Sequence, residues 1–414
     1  MVTVTSPATA QTPLREGTRL RAKRFWPAII ALAMGGFAIG TTEFVTMGVL
    51  PQMAEGVDVS IPVAGSLISA YALGVVIGAP VLAYFGAKLP RRGLLVGLMA
   101  AYAVFNAASA LAPTYGFLLV ARFLDGLPHG GYFGVASLVA ASMVAPERRG
   151  RAIALVLMGL PVATVVGVPA ATWLGQTLGW RASFWVVTAL SALTIVLVLA
   201  FVPQCPGNPE ATGRRELQAL RKPQVWFAVV AGAVGFGGMF ALFTYVAPMV
   251  TEIGGLGDGA VPIFLFVMGL GMVFGNWLAG LLVDWSLKKS LLGAPLVLAL
   301  GLLLFWLLLP YGYAALPAAF IVTTIGSVLA LGLMLRLIDA AGHAETLGAA
   351  VSHGSLNIGN ALGAWLGGLT IAAGFGYRSP LVLGAVLSLT GFAVLAVAFA
   401  LDRSTPDHSA ATTS

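Results

Sequence analysis

Charge is what this chain has least of. Only 9% of its 414 residues are Asp, Glu, Lys or Arg, against 59% hydrophobic residues and a mean hydropathy of +0.95. Soluble proteins average about 25% charged residues, so this chain cannot cover a water-facing surface, which excludes a cytosolic enzyme and a disordered tail protein. Cysteine is nearly absent as well: Cys205 stands alone, which excludes an intramolecular disulfide and a secreted disulfide scaffold. The sequence holds no G-x-x-x-x-G-K phosphate loop, no HExxH and no clustered Cys/His ligand set. ATP-driven work by this chain alone and a zinc-protease role are therefore disfavoured, and no cofactor is expected. Ser352 and His353 are adjacent, but neighbouring helix positions point about 100° apart and form no catalytic dyad by themselves. No nucleic-acid partner is expected.

Long apolar runs are what is there. A membrane-crossing helix needs roughly 20 apolar residues, and twelve such stretches are read at about 26–50, 62–85, 93–112, 115–144, 152–175, 181–203, 224–250, 260–284, 291–310, 314–338, 346–374 and 379–401. They lack period-two alternation, so barrel strands are excluded. The fold class is an all-α membrane protein of twelve transmembrane helices. The 22 basic residues orient it through the positive-inside bias. With the amino terminus in the cytoplasm, nineteen fall inside, including Arg91, Arg92, Lys288 and Arg336. Arg181 and Arg378 fall outside, and Arg122 lies within a span. Both termini are thus placed in the cytoplasm of a cell or inner membrane. Residues 1–24 form a polar tail rather than a cleavable signal. Residues 25–203 form a first six-helix bundle, 204–222 a cytoplasmic linker, 223–402 a second bundle and 403–414 a tail.

An internal repeat supports that division. GWRASF at 179–184 and GYRSPL at 376–381 superpose under a shift of 197 residues, and the same shift lays Arg91 and Arg92 on Lys288 and Lys289. Two halves joined by a cytoplasmic linker suit alternating access about a central site.

The residues themselves carry a family likeness. GTTEFVTMGVLP (40–51), ISAYALGVVIGAP (68–80), ARFLDGLPHGGYFGVAS (121–137), VVGVPAATWLGQTLGWR (165–181), GLGMVFGNWLAG (269–280) and LNIGNALGAWLGG (356–368) lie in spans 1, 2, 4, 5, 8 and 11. With them the chain resembles the major facilitator superfamily, and within it the twelve-span drug/proton antiporters of the arabinose-efflux-permease-like group. That resemblance implies export of a small organic compound, a drug such as chloramphenicol or a sugar, driven by the proton gradient, from a protein functional as a monomer. A proton-coupled importer or facilitator is the alternative. The sequence also departs from the pattern: Ala87 replaces the Asp of the loop after span 2, while Asp284 keeps it after span 8. Arg91, Arg92, Asp284 and Lys288 are the expected gating-loop charges. In span 5, Gly159, Gly167 and Pro169 remain, but Gly-Pro becomes Gly-Val-Pro.

An ionisable side chain at the centre of a span costs roughly 2.5–3.5 kcal/mol, so Glu43 and Arg122 carry information. Each lies seven residues from the outer end of its span, about 10 Å deep at 1.5 Å per residue. They are expected to compensate one another, as a working proton site or as a static ion pair. Glu43 matches the acid of the resembling group and is the first candidate for proton coupling. Arg122, Asp125 and His129 share one face of span 4 at i, i+3 and i+7. Asp125 is a second proton acceptor or simply the partner of Arg122; His129 is a relay or a structural histidine. Asn276, His353, Asn357 and Asn360 are neutral candidates for binding substrate, or for interhelical polar contacts. Phe240 and Tyr245 are candidates for an aromatic cavity wall.

Overall fold

The computed structural model describes residues 12–86, 88–207, 223–341 and 345–402. Ala87 and 208–222, most of the expected linker, lie outside the described residues, as do the first eleven positions and 403–414. Among the described residues the secondary structure is helical throughout, without strands. In chain order the long helices begin with α1 (Thr12–Gly48), α2 (Ser66–Gly86), α3 (Arg91–Leu111) and α4 (Tyr115–Ser142). Next come α5 (Arg149–Leu178), α6 (Arg181–Phe201) and α7 (Pro223–Ile253). Short helical turns, Leu50–Gly56 and Ile61–Ala64, connect α1 to α2.

Nine described helical runs are long and apolar enough to cross a membrane. One of them, Ala260–Ala340, has 81 residues, which at 1.5 Å each would extend about 120 Å against a hydrocarbon core of about 30 Å. It turns back on itself twice. Ser286 is in extended backbone (φ −170°, ψ 104°), and Gly312 takes a positive φ of 61° within Leu309–Ala315. These breaks define α8 (260–285), α9 (287–308) and α10 (Leu316–Ala341). The last two helices are α11 (Glu345–Thr370) and α12 (Ser379–Asp402). With 28 residues α4 is long enough to cross, but Arg122, Asp125 and His129 leave it less apolar than the rest.

The 197-residue repeat is visible in the packing. A Cβ added at Gly74 of α2 would lie 2.1 Å from the Phe123 carbonyl oxygen of α4; one added at Gly271 of α8 would lie 2.6 Å from that of Phe320 in α10. Both members of the first pair, shifted by 197, give the second. No side chain fits at either crossing, so only glycine lets these backbones meet. Arg181 donates to the Ala112 carbonyl at the end of α3 (3.0 Å) and lies over the Trp180 ring. Arg378 likewise donates to the Trp306 carbonyl near the end of α9 (2.5 Å) and lies over that residue's ring. Each arginine thus satisfies a carbonyl left open near a helix end.

The two sets of six helices meet mainly at the end that carries the α1–α2 and α7–α8 connections. There Gln52 donates to Asp258 (3.4 Å), Ser69 donates to the Ala361 carbonyl (3.0 Å), and Phe44 packs on Phe240 and Phe243. On α8, Gly269 lies directly against the Thr164 backbone of α5. Asn276, seven residues on, continues that stripe and is exposed. The α5 and α8 faces therefore part toward the end where α1 begins and α12 ends.

Candidate functional site

The site forms where α1, α2, α3 and α4 enclose a set of polar side chains. Arg122 and Asp125 are fully buried and bonded at 2.7 Å, and theirs is the only ion pair among the described residues. Arg122 bonds Asp125 one turn along its own helix, one of the two roles expected of Asp125, because the i+3 spacing places the two side chains side by side. Glu43 is 6% exposed and makes no hydrogen bond or ion pair among the described residues. Above the guanidinium plane lies Tyr71, 4.4 Å from its ring centroid, with Phe184 of α6 at 5.5 Å. Two guanidinium nitrogens, Nε and Nη2, have no hydrogen-bond partner.

Asp125 is held on its other oxygen. Asn106 of α3 donates from Nδ2 to Asp125 Oδ1 (2.6 Å) and to the Tyr102 carbonyl (2.9 Å), while its Oδ1 accepts from the Thr42 hydroxyl (2.5 Å). Thr42 precedes Glu43 on α1. A second chain runs beside the first. Tyr102 donates to the Ile39 carbonyl (3.4 Å), Tyr71 bonds Tyr102 (3.1 Å), and His129 Nδ1 bonds Tyr71 (2.9 Å). With Tyr102 donating to Ile39, Tyr71 must donate to Tyr102, and His129 must carry its hydrogen on Nδ1. Both chains therefore begin on α4 and end on the backbone or side chains of α1. Thr42, Tyr71, Tyr102 and Asn106 escaped the sequence reading. The signal was present: Asn106 is the one carboxamide in the apolar span 93–112, where an amide needs a partner.

The repeat supplies a comparison within the molecule. Shifted by 197, Glu43 falls on Phe240, Tyr71 on Met268, Tyr102 on Ala299, Arg122 on Ala319 and Asp125 on Val322, all buried and apolar or aromatic. The same packing position is thus filled without charge in the second set of helices.

There the polar groups lie elsewhere. Asn360 is fully buried with neither amide atom bonded, and Asn357 is buried with Oδ1 unbonded and Nδ2 donating to the His353 carbonyl (3.0 Å). His353 and Asn276 are exposed. The two aromatic candidates sit in the closed end rather than along an open wall. Tyr245 is fully buried, donates to the Ala364 carbonyl (2.7 Å) and reaches Gly65 and Gly368; Phe240 packs on Phe44. Side chains so buried have little surface left for a ligand. Of the loop charges, Arg91 donates its backbone N–H to the Cys205 carbonyl (2.9 Å), and the Arg92 guanidinium bonds the Leu199 carbonyl. Asp284 is exposed, and Lys288 lies over the Phe399 ring.

The sequence model of the Major Facilitator Superfamily matches residues 32–352. The chain belongs to that superfamily. It is 40% identical over 373 residues to the inner membrane transport protein YdhP of Escherichia coli (strain K12), covering 89% of this chain and 94% of that one. It is 34% identical over 369 residues to the chloramphenicol resistance protein of Streptomyces lividans, with 87% and 94% covered. The crystal structure of the D-xylose-proton symporter superposes with a TM-score of 0.70 at 16% identity, covering 89% of this chain and 97% of that chain, a likeness of fold alone. Membership in the superfamily makes the chain a multi-pass membrane transporter, with small molecules as the class of substrate.

Proposed function

We propose that the chain is a twelve-span secondary transporter, with both termini cytoplasmic, that exports a small organic compound in exchange for protons. The observation that carries this reading is the buried Arg122–Asp125 pair, bonded through Asn106 to α1 beside Glu43, at positions that the repeat fills with Ala319 and Val322. Charges that the fold does without in one half serve something other than folding in the other. Glu43 and Asp125 are the proton-carrying acids, Arg122 the cation that biases them, and His129 a fixed hydrogen-bond donor to Tyr71. A carboxylate's affinity for protons changes with hydration and with the distance of a guanidinium, and rocking between two arrangements alters both.

Asn276, His353, Asn357 and Asn360 make up the substrate side. The unbonded amide atoms of Asn360 and Asn357 suit a neutral compound offering both hydroxyl or amide donors and acceptors, as chloramphenicol and sugars do. In this reading the end where α1 begins and α12 ends is cytoplasmic, and α5 and α8 part toward it. One proton crossing 100 mV supplies about 2.3 kcal/mol, enough for roughly a fifty-fold gradient at 1.4 kcal/mol per tenfold. The test is chloramphenicol accumulation in an export-deficient bacterial host carrying the protein, with and without a protonophore. Export is expected to stop on proton collapse, and in Glu43→Gln with substrate binding retained. Export that continues after collapse refutes antiport.

A further inference from the structure

We propose that Asn106 is a positioning residue that reports the protonation state of Asp125 to α1, by rotation of its side-chain amide. This rests on the reading of Asp125 as a proton carrier. The donors and acceptors fix the amide's present orientation. The Tyr102 carbonyl and Asp125 Oδ1 both take hydrogens, so Nδ2 faces them, and Oδ1 faces the Thr42 hydroxyl. All three groups are fully buried, without water to absorb a mismatch.

A proton added to Asp125 breaks that arrangement. It cannot share the Oδ2 lone pair that already accepts from Nη1 of Arg122 (2.7 Å). In this proposal it takes the Oδ1 lone pair that faces Asn106, where it meets the amide N–H. Rotating the Asn106 amide by 180° restores the match toward Asp125 and Thr42, its oxygen accepting from the new O–H and its nitrogen donating to Thr42 Oγ1, at the loss of its donation to the Tyr102 carbonyl. The Thr42 hydrogen must then leave Asn106 and turn to its own helix, to the Ala38 carbonyl one turn back, as Thr46 already does toward the Thr42 carbonyl (3.2 Å). The rotated amide turns its oxygen toward the Tyr102 carbonyl, so the α1–α3–α4 contact is reset rather than merely reversed. No bond other than hydrogen bonds forms or breaks, and the one added proton stays on Asp125. The result reaches α1 at the position before Glu43.

The groups facing Asp125 from its surroundings leave this route distinct. On α4 they are Arg122 and His129, the latter committed to Tyr71. Tyr71 of α2 and Tyr102 of α3 bond each other, and α6 presents the uncharged Phe184. Glu43 of α1 forms no ion pair among the described residues. Among the described residues Asn106 alone bonds both Asp125 and α1.

The experiment measures proton-driven chloramphenicol export across pH in proteoliposomes, beside chloramphenicol counterflow, which needs no proton gradient. Asn106→Leu removes an N–H donor from the carboxylate, so the pH profile is expected to move about one unit to higher pH, a tenfold change in proton concentration. Thr42→Val keeps the shape and deletes the reporter's contact with α1. Driven export is then expected to fall about tenfold, a loss of about 1.4 kcal/mol, with counterflow unchanged and Thr42→Ser restoring it. Thr42→Val at the wild-type rate, or counterflow falling in step with driven export, overturns the proposal even where Asn106→Leu fails to fold. An unshifted profile in a folded Asn106→Leu overturns it as well. Asp125→Asn separates the two ideas: a wild-type pH profile there removes Asp125 from proton transport and the underlying function reading with it.

Discussion

Replacing Arg122 by Met and Asp125 by Val together is expected to cost little stability, while either of these changes alone destabilises the protein strongly. The pair is fully buried with oxygen and nitrogen at 2.7 Å. Removing one partner leaves a buried charge uncompensated, which costs about 3–5 kcal/mol. At 1.4 kcal/mol per tenfold, the lower figure already shifts the folding equilibrium more than a hundredfold. Removing both is a different perturbation. Nε and Nη2 of Arg122 have no partners, and each such group withheld from water costs about 1–3 kcal/mol. Apolar replacements end that cost, and buried ion pairs exchanged for apolar side chains of similar volume are often neutral or stabilising by about 1–4 kcal/mol. Ala319 and Val322 show the apolar solution at the related positions. Denaturation in mixed micelles, followed by tryptophan fluorescence, measures all three variants, and transport assays follow on the folded ones. The double variant should unfold within about 1 kcal/mol of the parent and drive no export. A double variant as unstable as either single would show that the pair holds the fold, and the argument from the repeat would fail.

Two further perturbations address the closed end and the repeat. A Cβ at Gly65 would lie 2.2 Å from the Tyr245 hydroxyl. Gly65→Ala should push that ring from the Ala364 carbonyl and lengthen the distance between spin labels placed at Glu55 and Gly257; an unchanged distance would exclude Tyr245 from the seal. Gly74→Ala and Gly271→Ala should each destabilise by about 1–3 kcal/mol through overpacking, whereas Gly134→Ala, with open space around it, should not. Unequal losses at Gly74 and Gly271 would argue against equivalent crossings, and denaturant midpoints decide it.

Sequence alone carried the class of fold, because span length and charge scarcity are one-dimensional properties imposed by the lipid. The repeat was legible from two short strings at an offset of 197, and the packing then added Gly74 with Gly271 at that same offset and a capping role for the arginines of the two strings. Arg122 and Asp125 were legible together because i+3 spacing is local. Whether Glu43 also bonds Arg122 was not, since residues at similar depth on different helices can still fail to touch. Thr42, Asn106, Tyr71 and Tyr102 come from three helices, and no spacing rule joins them. Tyr245 looked like a cavity aromatic until the approach of α7 to α11 and Gly65 buried it. What the sequence by itself determined was solvent, helical class and the rarity of its buried charges. Which of those charges meet, and through which amide they reach α1, only tertiary structure decided, because hydrogen bonds between helices depend on rotation and depth that no single helix records.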